Sequence, residues 1–198
     1  MIHIFPTKFV YWEKIENHDN IKDKYIKIIS QDLEKNREQI QKNFLWNCKC
    51  TSSFFSLDFM EELVNENLLN DIVWNPMDNM LKELGELINL PTPKSSKIKN
   101  IWYNDYNSGN WQEVHDHTGQ QESTYSGIYI LKLNEENQTT FVDSNFIKSW
   151  NMKQNFYVFE TCHIEEGNVI IFPSELMHYV NPCKDHRISI SFNIKSTF

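Results

Sequence analysis

Several features that would decide the class of this chain are scarce or missing from it. Lysine and arginine number 19 against 27 aspartates and glutamates, a net charge of −8. Because nucleic-acid phosphates need a basic surface, this balance argues against a nucleic-acid partner. No apolar run approaches the ~20 residues of a membrane-spanning helix, and residues 1–12 lack the pattern of a secretory signal. We therefore expect no membrane partner.

Cysteine is also sparse, and its spacing excludes the common structural metal sites. The four cysteines are Cys48, Cys50, Cys162 and Cys183. Zinc sites use two well-spaced pairs, whereas Cys48 and Cys50 are too close together and no second pair exists. This favours reduced thiols in a cytoplasmic protein, in the host cytoplasm if the chain is phage-encoded. The length of 198 residues predicts a single domain, 1–198.

The first part of that domain, residues 1–97, has the pattern of a helical support. Residues 20–43 place apolar side chains on one stripe at helical spacing, with charged residues opposite. A second helix is predicted within 57–70. A third is predicted over 76–89, opened by Pro76.

The second part, residues 98–198, has the pattern of short strands separated by polar turns. Four of the five glycines lie here, as expected for tight corners of antiparallel structure. The fold class is therefore predicted as α+β, mainly β, built as a sandwich or barrel. The predicted strands are 98–106, 111–117, 125–133, 138–143, 156–163, 168–172 and 187–194.

The last of these strands, RISISFNI, alternates strictly. Successive side chains of a strand point to opposite faces. Arg187, Ser189, Ser191 and Asn193 therefore share one face, and four apolar residues share the other. The polar face either meets water or lines a ligand cavity, and alternation alone does not decide between the two.

The segment HDH at 115–117 has the spacing of a metal site. In a regular strand His115 and His117 lie on one face, close enough to reach a single ion, while Asp116 points away unless a bulge re-aims it. A third ligand must come from elsewhere. The candidates are His3, His18, His163, His178 and His186.

Among these candidates His178 has the most suggestive context. It follows a buried strand and Pro173, at the far end of a predicted short loop, while His163 and His186 are expected at the surface. Nine residues further on, Arg187 lies on the polar face. A buried guanidinium needs an anion, and its planar fork suits a carboxylate, to which Ser189 could add a hydrogen bond.

With these residues in place, the sequence resembles the Fe(II)- and 2-oxoglutarate-dependent oxygenases. The likeness is greatest to a small subgroup found in phages and marine bacteria. The chain's opening, MIHIFPTKFVYWEKI, is also similar to that subgroup. The matching motifs are IWYNDYNSGNWQEVHDH, STYSGIYIL and EEGNVIIFPSELMHYVNPCKDHRISISFNI.

The resemblance implies a double-stranded β-helix, or jelly-roll, with N-terminal helices packed on the sheet. It implies Fe(II) on His115, His117 and His178, with no further catalytic residue. The cosubstrate 2-oxoglutarate would pair with Arg187 and Ser189. Tyr106 and Tyr129 are additional candidates for hydrogen bonds to it.

The activity implied is a dioxygenase that hydroxylates a small molecule or a protein side chain and releases succinate and CO2. Two departures from the wider superfamily bear on this. His117 replaces the usual aspartate, which makes the site one unit more positive. Ile130 stands where relatives often have a second tyrosine.

Two alternatives remain open at this point. One is a three-histidine, cupin-like dioxygenase that needs no 2-oxoglutarate, and the other is a non-catalytic jelly-roll that binds or assembles with partners. The polar stretch 118–124 is either a loop that covers the substrate or an exposed turn.

Overall fold

The structure, a computed structural model, describes residues 8–41, 48–54, 58–65, 68–119, 122–134, 139–142 and 164–198. Some sequence predictions fall on the remaining residues and lie outside the described chain. These are the first seven residues of the opening motif, the strand 156–163, and the residues His3, Cys162 and His163.

Helices dominate the first part of the chain. The predicted helix 20–43 is divided at Asn36, whose backbone (φ −112°, ψ 18°) leaves the helical region and ends the first helix, although its N–H still donates to the Asp32 carbonyl (2.8 Å). Pro76 lies in the first turn of the last helix, directly after a π-helical turn. The helices are α1 (His18–Lys35), α2 (Arg37–Gln41), α3 (Asp58–Asn65) and α4 (Asn75–Ile88), the last preceded by a π-helical turn (Asn70–Trp74).

The described strands form two antiparallel sheets, so the predicted mixture of helices and antiparallel β structure is confirmed. The strands are β1 (Tyr11–Lys14), β2 (Cys48–Lys49), β3 (Thr51–Ser52), β4 (Ser95–Tyr106), β5 (Trp111–His115), β6 (Tyr125–Leu133), β7 (Thr139–Val142), β8 (Asn168–Pro173), β9 (Met177–Val180) and β10 (Arg187–Thr197). The larger sheet has the order β1-β8-β6-β10-β4-β3, and the smaller has the order β2-β5-β9-β7. The short strands β1, β2, β3 and β9 were not predicted.

The outer face of the larger sheet contacts the helices. The ring of Tyr25 in α1 meets Tyr129 of β6 (centroids 5.7 Å apart), and Phe59 in α3 meets Tyr103 of β4 (4.9 Å). Strand β10 contributes its apolar row to the same core. That row consists of Ile188, Ile190, Phe192 and Ile194.

The opposite, polar row of β10 therefore faces the smaller sheet. A second apolar cluster lies between the two sheets, with Ile128 and Ile130 of β6 packed against Phe141 and Phe172. The alternation of RISISFNI thus separates a helix-facing core from an interior cavity. In the described part of the chain, no helix is long and apolar enough to cross a membrane.

The packing between β6 and β10 predicts that Gly127 cannot be replaced by a residue with a side chain without loss of stability. A Cβ on Gly127 would lie 2.1 Å from the Phe192 ring, so Gly127→Ala should lower the free energy of unfolding by about 1–3 kcal/mol in a denaturant titration. The control is Gly85→Ala in α4, where the nearest atom is 3.7 Å away; helix propensity there should raise stability by about 0.5–1 kcal/mol. Equal stability of the two variants would contradict this packing.

Candidate functional site

The two histidines of the HDH segment both reach the space between the sheets, although the strand that carries them is shorter than predicted. Strand β5 ends at His115, and its pairing with β9 changes register between Gln112 and His115. His117 lies beyond the strand end, where its N–H donates to the Ser174 carbonyl (2.8 Å). The irregular backbone, not the alternation of a regular strand, therefore positions His117.

His178 lies in a strand, and its predicted position in a loop is wrong. A tight turn after β8, closed by the Leu176 N–H and the Pro173 carbonyl (2.9 Å), returns the chain to the smaller sheet as β9. There His178 is paired directly with His115 across the two strands. Cross-strand neighbours have closely spaced side chains, so the sheet itself brings these two imidazoles together.

The three imidazoles form a compact nitrogen cluster. His115, His117 and His178 each offer one nitrogen, and these atoms lie within 4.8 Å of one another. The Nδ1 atoms of His115 and His178 lie 2.7 and 3.0 Å from the carbonyls of Glu113 and Leu176. A carbonyl can only accept, so Nδ1 carries the proton and Nε2 is left free to bind a metal.

The surroundings keep all three rings neutral. Burial, followed by repulsion from His115, lowers the pKa of His117 to about 3. Burial also lowers the pKa of His115 and drives that of His178 well below its ordinary value. Neutral imidazole is the form that binds metals, and it suits iron among other transition metals. The cluster therefore fits a metal ion.

Asp116 does not join the histidines. Its carboxylate is exposed and accepts hydrogen bonds from the backbone N–H (3.0 Å) and the hydroxyl (2.7 Å) of Thr118. The metal-ligating group found among the described residues contains the three histidines and no carboxylate.

Arg187 is fully buried in the same cavity, with 2% of its surface exposed. Its Nη2 donates to the Thr139 hydroxyl (2.8 Å), and its guanidinium lies 5.2 Å from the centre of the Tyr106 ring. Nε and Nη1 are buried without a hydrogen-bond partner among the described residues. A buried cation with two unpaired donors is costly, which points to an anionic ligand at this position.

The cavity joins the guanidinium to the histidine cluster. Its empty volume is about 280 Å³, including the open solvent at its mouth. Strand β4 contributes three side chains to its wall, and the indole of Trp102 stacks on His117 (centroids 5.7 Å apart). The principal lining residues are His115, His117, His178, Arg187, Ser189, Trp102, Asn104 and Tyr106.

The two tyrosines predicted to contact the cosubstrate lie on opposite faces of the larger sheet. Tyr106 lines the cavity, where its hydroxyl donates to Gln112 Oε1 (2.8 Å). Tyr129 faces the helices, with its hydroxyl 2.6 Å from His18 Nδ1, so its predicted contact with the cosubstrate is wrong. Tyr129 pairs with Ile190 across the sheet and shares its outward face, whereas Ile128 and Ile130 point inward.

The sequence analysis missed three polar or aromatic lining residues, Trp102, Asn104 and Gln112, and also Thr139, the partner of Arg187. Trp102 and Asn104 alternate with Tyr103 and Asp105 along β4, so the parity argument used for β10 would have found them. Thr139 gave no such signal, because its role depends on its position beside Arg187. The remaining described histidines are engaged elsewhere: His18 with Tyr129, and the half-buried His186 with Asp105.

Comparison with known proteins agrees with this geometry. Residues 100–193 match the model of the family described as "Putative 2OG-Fe(II) oxygenase". The chain is similar in structure to a Pseudomonas putida prolyl-4-hydroxylase (TM-score 0.55, 11% identity), over 96% of this chain and 93% of that one. No curated protein matches the chain.

A second structural likeness covers almost the whole of both molecules. The viral collagen prolyl hydroxylase of Paramecium Bursaria Chlorella virus-1, in its 2OG complex, has a TM-score of 0.50 and 15% identity over 95% of this chain and 96% of that one. At such low identity both likenesses show a shared fold. The family match agrees with the resemblance: residues 100–193, which include the histidine cluster and Arg187, are similar to the 2OG-Fe(II) oxygenases, oxidoreductases that use Fe(II) and 2-oxoglutarate.

The histidine cluster predicts one metal ion per chain. Anaerobic titration with Fe(II), or with Co(II) as a spectroscopic substitute, should saturate at one equivalent, and His178→Ala should abolish tight binding by removing one of three ligands. The matched control is His186→Ala, which removes an imidazole that bonds Asp105 and lies apart from the cluster. Equal metal affinity in the two variants would contradict the assignment of these ligands.

Proposed function

We propose that the protein is an Fe(II)- and 2-oxoglutarate-dependent dioxygenase that hydroxylates its substrate and releases succinate and CO2. The observation that carries this proposal is the pairing of two unusual features in one cavity. Three neutral imidazoles converge there, and a buried guanidinium has two donors without a partner in the described part of the chain. A metal alone would explain the histidines, but only a metal together with an anion explains both.

His115, His117 and His178 would hold the iron. Bound Fe(II) and 2-oxoglutarate supply dioxygen activation coupled to oxidative decarboxylation of the cosubstrate. The chain's own contribution is to hold three neutral donors in place before the metal arrives. Because His117 replaces a carboxylate, the protein ligands carry no charge, and the dianionic cosubstrate would balance the metal.

Arg187 would bind the distal carboxylate of 2-oxoglutarate. Its Nε and Nη1 donors, unpaired within the described ranges, would both bond a carboxylate, while the Thr139 hydroxyl and the Tyr106 ring hold the guanidinium in position. Ser189 lies next along the same face of β10 and is 2% exposed. Its hydroxyl would donate a further hydrogen bond to the same carboxylate.

Aromatic side chains would exclude water from the metal end of the cavity. The rings of Phe172 and Phe141 lie 4.8 and 5.8 Å from that of His178, and Trp102 covers His117. Such a wall lowers the local dielectric constant and strengthens charge interactions within the cavity.

The supporting fold that we propose is one domain over 1–198, with a double-stranded β-helix in 98–198 and helices from 1–97 packed on its larger sheet. A protein side chain or a small molecule is the proposed substrate class, supported by the likeness to two prolyl hydroxylases. A cytoplasmic location stays part of the proposal, consistent with the free thiols of Cys48, Cys50 and Cys183.

Cosubstrate binding provides the first test. Anaerobic addition of 2-oxoglutarate to the Fe(II) protein should produce a weak visible charge-transfer band. Arg187→Met should weaken 2-oxoglutarate binding by at least about thirtyfold, because the carboxylate loses its buried partner. Arg37→Met is the matched control, since Arg37 is exposed on α2 and its loss should leave the affinity unchanged. No band in the native protein would refute the proposal.

Product formation provides the second test. With Fe(II), 2-oxoglutarate and dioxygen, the protein should release succinate slowly even without substrate, and faster when a pool of peptides and metabolites contains the substrate. Turnover that proceeds without 2-oxoglutarate and is unaffected by Arg187→Met would instead identify the cupin-like alternative.

A further inference from the structure

The three imidazoles of the metal cluster are held in different ways. His115 and His178 are paired across β5 and β9, and their Nδ1 atoms lie 2.7 and 3.0 Å from backbone carbonyls. His117 lies beyond the end of β5, where the regular strand has ended. Strand pairing and backbone hydrogen bonds therefore orient two of the rings, whereas the third depends on another support.

Aromatic rings surround His117. Its ring is stacked with that of Trp102 (centroids 5.7 Å apart, planes at 27°) and with that of His178 (5.0 Å, 6°). The ring of Phe172 lies roughly perpendicular to it (6.5 Å, 71°). Offset-stacked and perpendicular pairs at such distances are the arrangements that aromatic rings favour. Since His178 is itself a ligand, the stacked support comes from Trp102.

Trp102 is suited to act as a fixed support. It lies in β4, pairs with Ser191 of the neighbouring strand β10, and is 2% exposed. The ring of Phe54 packs against its indole at right angles (centroids 4.9 Å apart, planes at 89°). Because folding has already ordered this indole, it can hold a second ring without a further loss of side-chain entropy.

A histidine at position 117 needs such a support more than an aspartate would. The free nitrogen of a neutral imidazole offers one lone pair in the ring plane, so a rotation of the ring turns it away from an ion. A carboxylate, the third ligand of the usual two-histidine triad, has two oxygens and tolerates more rotation. Here the Nε2 atom of His117 lies 3.3 Å from that of His178, an orientation that suits a shared ion.

We propose that Trp102 is a positioning residue for the metal site, whose indole holds the His117 ring with Nε2 directed towards the other ligands. This inference deepens the proposed function, because it rests on metal binding by the histidine cluster, but it is independent of the cosubstrate and of the reaction. Trp102 belongs to the larger sheet, whereas His117 follows a strand of the smaller one. The stack therefore joins a metal ligand to the sheet that carries Arg187.

The metal affinity of Trp102 variants tests the proposal. In the full-length protein, Trp102→Leu removes the stacked ring and should weaken Co(II) binding by about ten- to hundredfold, the usual effect of losing a residue that orients a ligand. Trp102→Phe keeps a ring and removes Nε1, which has no hydrogen-bond partner among the described residues. Its affinity should stay within about threefold of the native value, because a phenyl ring can also stack.

The matched control for these variants is Trp12→Leu. Trp12 lies on β1 with 39% of its surface exposed, so its loss should leave the Co(II) affinity unchanged. The visible spectrum of bound Co(II) provides a second measurement. Trp102→Phe should keep the native bands, whereas Trp102→Leu should alter them, because His117 no longer holds its place beside the ion. A general loss of stability would lower occupancy without changing the bands of the bound ion.

A double-mutant cycle connects the effect to His117. His117→Asp gives the site a carboxylate, which needs no stacked ring. In that background Trp102→Leu should change the Co(II) affinity by less than about twofold. A general packing effect of the tryptophan would lower the affinity equally in both backgrounds. If His117→Asp binds no Co(II), the comparison of Trp102→Leu with Trp102→Phe decides the inference by itself.

Several outcomes would overturn this inference while leaving the proposed function intact. They are equal Co(II) affinity in the native protein and Trp102→Leu, an equal loss in Trp102→Leu and Trp102→Phe, and an equal effect of Trp102→Leu in the native and His117→Asp backgrounds. No Co(II) binding by the native protein would overturn both proposals. Metal binding without the charge-transfer band of Fe(II) and 2-oxoglutarate would overturn the proposed function alone.

Discussion

A buried guanidinium is the constraint on which the rest of this structure depends. Arg187 lies at the start of β10, with strands on both sides, and only its Nη2 is hydrogen bonded among the described residues. Such a group costs stability unless the surrounding protein and a ligand compensate for it. Thr139 and Tyr106 provide part of this compensation, and the two free donors define where an anion would complete it.

The metal-binding group meets this anchor because two sheets face each other. The larger sheet supplies Arg187 and the inward side chains of β4, whereas the smaller sheet supplies His115 and His178 as a cross-strand pair. Neither sheet alone contains a complete site. Activity therefore depends on the packing between the sheets, which rests on Ile128, Phe141 and Phe172.

The sequence was sufficient to place His115, His117, Arg187 and Ser189 in one cavity, because each is marked by a local pattern. Strict alternation separated Arg187 and Ser189 from the apolar row of β10, and the HDH spacing identified His115 and His117. The strand β9 was missed because Met177–Val180 is short and follows a proline and a turn. Tyr129 was wrongly predicted to contact the cosubstrate. The alternation of inward and outward side chains along β6 was not compared with that along β10, although the two strands pair. The role of Thr139 depends on its contact with Arg187, which no local sequence pattern indicates.

The strand β10 also has a consequence for folding. It lies between β4 and β6 in the larger sheet, yet it follows both of them in sequence. Its partners are distant in sequence, since Arg187 pairs with Tyr106 and Leu133. Pairings between such distant residues are slow to form. During synthesis, β4 and β6 therefore each keep an unpaired edge until residues 187–197 have left the ribosome. The helices are already formed by then. Unpaired strand edges of this kind promote aggregation of incompletely folded chains.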